Sequence, residues 1–306
     1  MSWINSSIVS MLRILPRWSI HPFAKTYVAG ESVEETVLVV KKVNNLGFTC
    51  TLDILGEHVQ SGAEAENITQ EYCDLYDVIV NENLDCNISI KLTHIGLALD
   101  KNIAAENLVR ILRQAKLHSN FCRIDMEDSP YTQQTIDLYK DCVSKYPNIG
   151  IVLQAYLKRS LEDARALNAP GFNTRICKGI YNEPETIALL DRTAIQDNFF
   201  QITKEILSGN GFAAIATHDI PLIDRIDEWI ESTQVSSDRF EFQVLYGVPM
   251  SDRLERLLDK GYTVRQYVPF GKEWFDYSLR RLKENPKIMS YVLGNLFNDE
   301  FYRRYK

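Results

Sequence analysis

The sequence predicts an α/β protein built around one (β/α)8 barrel, and three observations indicate this fold class. Eight short apolar runs rich in strand-forming residues recur along the 306-residue chain. Stretches with helical spacing and charge separate consecutive runs. The first run is not followed by the G-x-G-x-x-G pattern of an open dinucleotide-binding sheet, and no Pro/Gly/Ser-rich linker divides the chain.

Each run is a candidate barrel strand because it combines β-branched, aromatic or cysteine residues over the length of a strand. Helices are expected between the runs, as over residues 106–116, where apolar residues share one face. Another helix is expected over residues 254–260, which Gly261 ends. In chain order the runs cover residues 50–55, 88–93, 121–127, 149–156, 175–180, 212–219, 240–247 and 263–271.

The barrel is expected to occupy residues 46–306, after an N-terminal helical arm over residues 1–45 and with an extra C-terminal helix near residues 286–304. The arm begins with an amphipathic stretch that Pro16 stops. Its first 30 residues carry basic but no acidic side chains, which superficially resembles a mitochondrial transit peptide and also suits an anionic membrane surface. We favour an arm that docks on its own domain.

Composition excludes several classes of protein. The chain has 34 Lys and Arg against 41 Asp and Glu, a net charge of −7, so no basic face is expected for nucleic acid. No apolar run approaches the ~18 residues of a membrane-spanning helix, so an integral membrane protein is not expected. Six cysteines without a C-x-x-C pair indicate neither a disulfide framework nor a zinc site, and therefore a reducing compartment.

Polar residues end nearly every predicted strand, which is where barrels of this type place their active sites. A single residue of this kind is as often a helix cap or a solvated loop residue. The whole set is harder to explain in that way. Its members are Asp53, Lys91, Asp125, Glu127, Gln154, Lys178, Thr217, His218, Asp219, Gln243 and Tyr267.

Charged residues in this set leave two interpretations open. Lys91 and Asp125 end neighbouring strands, so they are expected to lie close together. They form either a structural ion pair or part of a functional site. Lys178 is expected to be buried, either as a Schiff-base nucleophile or as a cation beside an electron-rich cofactor. The adjacent Arg280 and Arg281 belong to an ordinary solvated face or converge on a carboxylate. His218 has no second ligand at metal-binding spacing, so no metal is expected.

Nine strings of the sequence resemble the proline dehydrogenase (proline oxidase) family, including the barrel of bifunctional proline-utilisation flavoenzymes. They occur in the family's order and extend from about residue 27 to residue 285. One short motif would be weak, whereas nine in series are specific. The strings are YVAGES, ISIKLT, RIDMED, LQAYLKRS, RICKGIYNEP, IATHD, FEFQVLYG, VRQYVPFG and YSLRRLKEN.

This resemblance implies a distorted (β/α)8 (TIM) barrel that holds FAD non-covalently. It implies oxidation of L-proline to Δ1-pyrroline-5-carboxylate, the first step of proline catabolism, by hydride transfer to flavin N5. A membrane quinone is implied as the electron acceptor, and a pyrroline-5-carboxylate dehydrogenase as the partner that takes the product. We expect a bacterial cytoplasmic protein, peripheral on the inner face of the membrane, with the mitochondrial matrix as the alternative.

The resemblance also implies roles for individual residues. Asp125 supports the substrate-binding lysine and tyrosines, Arg175 approaches flavin N5, and Glu284 holds the arginines or the cofactor edge. The cations implied to bind the proline carboxylate are Lys91, Arg280 and Arg281. The side chains implied to pack around its ring are Leu245, Tyr267 and Tyr277. The residues implied to line FAD, besides Arg175 and Glu284, are Gln154, Cys177, Gly179, Thr217, His218 and Gln243.

Three departures from the family pattern keep alternatives open. Ile180 stands where the family has a smaller residue, so a modified or ring-substituted proline is an alternative substrate. Asn182 replaces a tryptophan expected against adenine, and residues 193–196 lack an expected basic residue near the FAD phosphates. A Schiff-base aldolase-type barrel is a second hypothesis, but it leaves Tyr267 and the arginine pair without a role. A non-catalytic sensor of proline or flavin is a third, which the retention of the substrate-site residues, apart from Ile180, disfavours.

Overall fold

The computed structural model describes residues 24–275 and 277–279, and in them eight parallel strands close into a barrel. The strands follow one another in chain order, and β8 pairs back onto β1. This confirms the predicted barrel, and each strand overlaps one of the eight predicted runs. The strands are β1 Thr49–Ile54, β2 Cys86–Ile90, β3 Cys122–Ile124, β4 Ile149–Gln154, β5 Asn173–Cys177, β6 Phe212–Ala216, β7 Phe240–Leu245 and β8 Val264–Phe270.

Helices surround the barrel: one precedes β1, and one follows each strand from β1 to β7. Short 3-10 helices lie at Thr93–Ile95 and Ser237–Arg239, and residues 24–27, 274–275 and 277–279 are also helical. The longer helices are α1 Val33–Asn45, α2 Gly62–Asn81, α3 Lys101–Leu117, α4 Ser129–Val143, α5 Ser160–Leu167, α6 Arg192–Ser208, α7 Ile220–Thr233 and α8 Arg253–Asp259.

Local sequence explains where these helices begin and which face they bury. At the start of α2, the Ser61 hydroxyl accepts a bond from the Glu64 amide (3.2 Å), and the Glu64 carboxylate accepts one from the Gln60 amide (2.7 Å). In α3, the predicted apolar face is fully buried, with Leu108 and Ile111 both at 0% exposure. Such a face drives packing against the strands through the hydrophobic effect.

The inside of the barrel is charged, whereas many barrels fill it with branched aliphatic residues. Near its amino-terminal end, Arg265 Nε lies 3.0 Å from both carboxylate oxygens of Glu241, and its Nη1 donates to the carbonyl of Cys50 (2.7 Å). Arg123 donates to the carbonyl of Asn173 (3.0 Å). Burial lowers the pKa of Arg123 to about 9. These buried ions are paired or hydrogen-bonded, as burial requires.

This charged layer sets the direction of the side chains above it. Because alternate residues of a strand face the same side, a residue two positions further along also points into the barrel. Asp125 follows Arg123 in this way, Gln243 follows Glu241, and Tyr267 follows Arg265, each toward the carboxyl end. The three side chains line one cavity at that end.

Part of the predicted arm lies against the carboxyl-end side of the barrel. The Ala29 amide donates to the carbonyl of Pro269 (2.9 Å), and Trp274 Nε1 donates to the Glu31 carboxylate (2.7 Å). The boundary between arm and barrel stays a prediction, and residues 1–23 and 286–304 lie outside the described residues.

None of the helices described combines the length and the apolar character that spanning a bilayer requires. All six cysteines are free in the structure. Four of them are buried, whereas Cys177 is only partly buried and lines the cavity.

Candidate active site

A cavity of about 690 Å³ opens at the carboxyl ends of the strands, the expected end of the barrel. Its volume suits a small molecule or an organic cofactor. The predicted site residues Arg280, Arg281 and Glu284 lie outside the described residues. The other predicted site residues all line this cavity: Lys91, Asp125, Gln154, Arg175, Cys177, Gly179, Thr217, His218, Gln243, Leu245, Tyr267 and Tyr277.

Asp125 is the centre of the cavity floor. One of its carboxylate oxygens accepts hydrogen bonds from Ser89 Oγ and Arg175 Nη2, and the other accepts one from the Tyr267 hydroxyl (2.7 Å). The Arg175 guanidinium also lies 4.9 Å from the centre of the Tyr267 ring, a cation–π contact. Burial alone would raise the pKa of Asp125, but Arg175 and Lys91 lower it below its ordinary value. Asp125 is therefore an anion that orients a cation and a tyrosine.

Lys91 is held mainly by Asp53, and Asp125 is a weaker partner than expected. Lys91 Nζ lies 2.8 and 2.9 Å from the two oxygens of Asp53 and 3.6 Å from Asp125 Oδ2. Burial raises the pKa of Asp53 despite this cation. Burial lowers the pKa of Lys91, but the two carboxylates outweigh it and the net shift is upward. The two carboxylates favour the charged form of Lys91, which argues against a Schiff-base nucleophile.

Lys178 is partly exposed and ion-paired, which corrects the expectation of a buried lysine. Lys178 Nζ, Arg192 Nη2 (3.2 Å) and Gln196 Nε2 (2.5 Å) all donate to Asp219 Oδ2. Burial would raise the pKa of Asp219, but these donors lower it to about 2. Arg192 also lines the cavity. A basic residue therefore does stand beside the cavity, immediately before residues 193–196, where the family pattern led us to expect one.

Among the residues that line the cavity, three buried polar atoms have no hydrogen-bond partner within the described part of the chain. They are Arg175 Nη1, Asp219 Oδ1 and Gln243 Oε1. The other end of the Gln243 amide donates to Glu241 (2.5 Å), which fixes its orientation. Because buried polar groups are normally paired, a donor and an acceptor left over in one cavity indicate a ligand with both functions.

His218 and Gln154 have structural partners at the cavity edge. His218 Nε2 accepts a hydrogen bond from the Leu245 amide (2.9 Å), which leaves the ring proton on Nδ1 if the imidazole is neutral. Gln154 Nε2 donates to the Glu127 carbonyl (2.8 Å). These hydrogen bonds fix the orientation of both side chains, which the resemblance implies to line FAD.

Asp53, Asp219 and Arg192 are the residues whose roles sequence reasoning missed. Asp53 and Asp219 belong to the polar strand ends but received no partner, because a sequence does not show which cation each meets across the barrel. One signal could have paired Asp53 with Lys91. Asp53 lies on β1, which pairs with β2, and its partner in the register is Ser89, two residues before Lys91.

Comparison with known proteins decides the family. Residues 37–292 match the family described as proline dehydrogenase. The chain belongs to the proline dehydrogenase family. Proline dehydrogenase 1 of Bacillus subtilis (strain 168) is 37% identical over 274 residues, which cover 89% of this chain and 90% of that protein. The proline dehydrogenase of Deinococcus radiodurans is 32% identical over 287 residues, 92% of each chain.

The barrel of this proline dehydrogenase family member also matches a solved structure. The crystal structure of proline utilization A (PutA) from Bdellovibrio bacteriovorus, inactivated by N-propargylglycine, has a TM-score of 0.81 and 24% sequence identity. The match covers 92% of this chain and 34% of that longer chain. It confirms the predicted fold, and the family match confirms the predicted resemblance.

The cavity of this family member fits FAD, the cofactor implied by the resemblance. The unpaired donor on Arg175 and the unpaired acceptor on Gln243 suit the edge of a flavin ring, which carries both acceptors and a donor. The cations Lys178 and Arg192, on another part of the wall, suit a diphosphate. Gly179, which follows Lys178 in the chain, also lines the cavity.

Gly179 is required by its backbone and by its neighbour. Its φ is +105°, and an added Cβ would lie 2.1 Å from the Tyr156 ring. We expect Gly179→Ala to lower the free energy of unfolding by about 2–4 kcal/mol, because strain and overlap add. Gly261→Ala is the matched control, since Gly261 has φ +79° and open space around it, and should lose only about 1 kcal/mol. Equal losses in urea unfolding would contradict the overlap with Tyr156.

Glu127 should make stability depend on pH. It is buried, and it accepts hydrogen bonds from the amide (3.0 Å) and hydroxyl of Thr93. Burial raises its pKa from 4.5 to about 7, although these bonds oppose the shift. A raised carboxyl pKa means that folding favours the protonated form, so its stabilisation is complete below pH 4.5 and is lost as pH rises through 7.

We therefore expect Glu127→Gln to remove a pH-dependent part of the stability. Between pH 5 and pH 8, the wild type should lose of the order of 3 kcal/mol relative to Glu127→Gln as pH rises. Urea unfolding at several pH values measures this difference. Parallel curves for the two proteins would show that Glu127 ionises normally.

Proposed function

We propose that this protein is a proline dehydrogenase that oxidises L-proline to Δ1-pyrroline-5-carboxylate with FAD as its bound oxidant. The observation that carries the proposal is the wall of cations and unpaired polar atoms around one cavity, in a chain that belongs to this family. The cavity pairs a carboxylate-binding side at Lys91 with a cofactor side at Arg175 and Gln243.

On the substrate side, the chain's own residues bind and orient proline. Lys91 stays charged and attracts the proline carboxylate, and Arg280 and Arg281 are proposed to join it. The Tyr267 hydroxyl donates a hydrogen bond to Asp125, and the Arg175 guanidinium lies over the Tyr267 ring. A phenol fixed at both ends is a rigid surface for a five-membered ring. Such fixed positioning lowers the entropy cost of reaction.

Leu245 and Tyr277 are the apolar surfaces proposed to complete the ring pocket. Tyr277 lines the cavity, is 8% exposed and packs with Trp274 and Leu279 in an apolar cluster. We propose that this cluster limits the access of water to bound substrate, which would strengthen the electrostatic contacts nearby.

On the cofactor side, FAD supplies the two-electron acceptor that amino-acid side chains lack. Arg175 is proposed to place its unpaired guanidinium nitrogen at the flavin, where positive charge stabilises negative charge that develops during reduction. Gln154, Cys177, Thr217, His218 and Gln243 are proposed to line the ring and its chain. Lys178 and Arg192 are proposed to hold the phosphates.

A spectrum of the purified protein tests the function directly. We expect a flavin absorbance band that bleaches when L-proline is added without oxygen, together with turnover in the presence of an artificial electron acceptor. A flavin band that persists after L-proline is added would favour a non-catalytic sensor or an enzyme for a different substrate. Covalent trapping of Lys91 or Lys178 by borohydride and a carbonyl compound, without a flavin band, would favour the Schiff-base alternative.

The fate of the electrons and of the product is part of the same proposal. We propose a membrane quinone as the final acceptor and a pyrroline-5-carboxylate dehydrogenase as the consumer of the product. We also propose a cytoplasmic location at the inner face of the bacterial membrane. Reduction of a short-chain quinone analogue by proline, and sedimentation with membrane vesicles, test these points.

Ile180 bears on the choice between proline and a ring-substituted proline as the substrate. It is 53% exposed although it lines the cavity, so we propose that it narrows the mouth of the cavity and disfavours bulkier rings. We expect Ile180→Ala to raise kcat/KM for 4-substituted prolines relative to proline by about tenfold, as removal of methyl groups from a pocket does. An unchanged ratio would show that Ile180 does not meet the ring.

A further inference from the structure

Four side chains form a compact cluster on the cofactor side of the cavity. We call Lys178, Arg192, Gln196 and Asp219 the Asp219 cluster. Lys178 follows β5, Arg192 and Gln196 lie in the first two turns of α6, and Asp219 precedes α7. The two cations and the carboxylate line the cavity.

All three donors of the cluster converge on one oxygen of Asp219. Oδ2 accepts from Lys178, from Arg192 and from Gln196, whereas Oδ1 is buried and has no partner among the described residues. A carboxylate built only to hold cations would normally use both oxygens. The cluster carries two positive charges and one negative charge, so a net positive charge faces the cavity.

Exposure differs sharply between the carboxylate and its cations. The Asp219 side chain is 3% exposed, while those of Lys178 and Arg192 are 30% and 77% exposed. The anion is fixed in the wall, and both cations reach it from the open side. Flexible side chains of this kind can turn to another anion without any movement of the backbone.

We propose that Asp219 is a resident anion that neutralises Lys178 and Arg192 and that competes with the phosphates of the cofactor for them. This inference rests on the proposed binding of FAD. A dianionic diphosphate must draw the two cations away from Asp219 and must also lie near its negative charge. Both effects weaken binding, since like charges a few ångströms apart repel even with substantial screening.

Asp219→Asn tests the competition, because it removes the charge and keeps the shape. We expect the Kd for FAD, measured by flavin fluorescence on protein freed of cofactor, to fall by about fivefold or more. Riboflavin, which has no phosphate, should bind equally to the variant and to the wild type. The rise in Tm that saturating FAD produces should be larger in Asp219→Asn than in the wild type.

Matched variants separate this role from a structural one. Asp227 is also a buried acid paired with a lysine, at 2.6 Å from Lys260 Nζ, but it lies away from the cavity. Asp227→Asn should change Tm without changing the Kd for FAD. Asp219→Ser, which retains a good residue for the start of a helix, is the second variant and should shift the Kd in the same direction.

Two outcomes would overturn the inference. Weaker FAD binding in Asp219→Asn and Asp219→Ser would show that Asp219 positions the cations for the cofactor instead of competing for them. An unchanged Kd would show that the cluster serves the fold alone. Absence of FAD binding to the wild type would be a different result, because it would remove the proposed function itself and this inference with it.

Discussion

Asp125→Asn is expected to lower the free energy of unfolding by about 3–5 kcal/mol and to abolish proline oxidation. The carboxylate binds Arg175, Ser89 and Tyr267 on the cavity floor, and Arg175 is itself buried. An amide cannot balance the guanidinium charge, and its NH2 group would point a donor at a donor. A buried cation without its partner is among the most costly defects a core can carry.

Urea unfolding and steady-state kinetics measure these two effects. Tyr267→Phe is the control, because it removes one hydrogen bond to Asp125 and leaves the charge pair in place. It should lose about 1–2 kcal/mol, with a smaller fall in activity. If Asp125→Asn were no less stable than Tyr267→Phe, the ion pair with Arg175 would not be the main partner of this carboxylate.

Lys91→Met should lower the free energy of unfolding by about as much as Asp125→Asn does. It should also raise KM for proline by about 10–100-fold. It leaves Asp53 buried without its cation, so the pKa of Asp53, already raised by burial, rises further and the group folds in its protonated form. The substrate carboxylate also loses one of its proposed partners.

The double variant Asp53→Asn/Lys91→Met separates the two consequences. It removes both charges of the pair, so its stability should recover part of what Lys91→Met loses, while KM for proline stays high. Recovery of both stability and KM would show that Lys91 acts only as a partner of Asp53. No recovery of stability would show that the pair is not coupled.

The barrel could be predicted from the sequence because its strands are short, apolar and regularly spaced. The predicted run over residues 149–156 and strand β4 begin at the same residue. The strand ends two residues earlier than the run, at the polar residue Gln154. Boundaries are harder: the predicted run over residues 121–127 corresponds to a strand of three residues, Cys122–Ile124. The Asp125 amide still donates to the Ile90 carbonyl of β2 (2.8 Å), and alternation alone does not show where the ladder of hydrogen bonds stops.

The walls of the site could be predicted, but the pairing inside it could not. Lys91 and Asp125 were expected to meet, yet Asp53 lies closer to the lysine. Side chains from β1, β2 and β3 converge at this level, and the choice between two carboxylates depends on a difference of under 1 Å. Arg192 shows the same limit, since it is the first residue of a helix and nevertheless lines the cavity.

Closure of the barrel has a consequence for how the chain is made. The contacts that seal β1 to β8, such as Arg265 to the Cys50 carbonyl, join residues 215 positions apart. Contacts of such long range form slowly, because a large loop must close first. On the ribosome, β1 keeps a bare edge until Phe270 has been synthesised. The barrel therefore closes only once β8 is complete, and a chain cut before β8 would expose two strand edges that can pair between molecules.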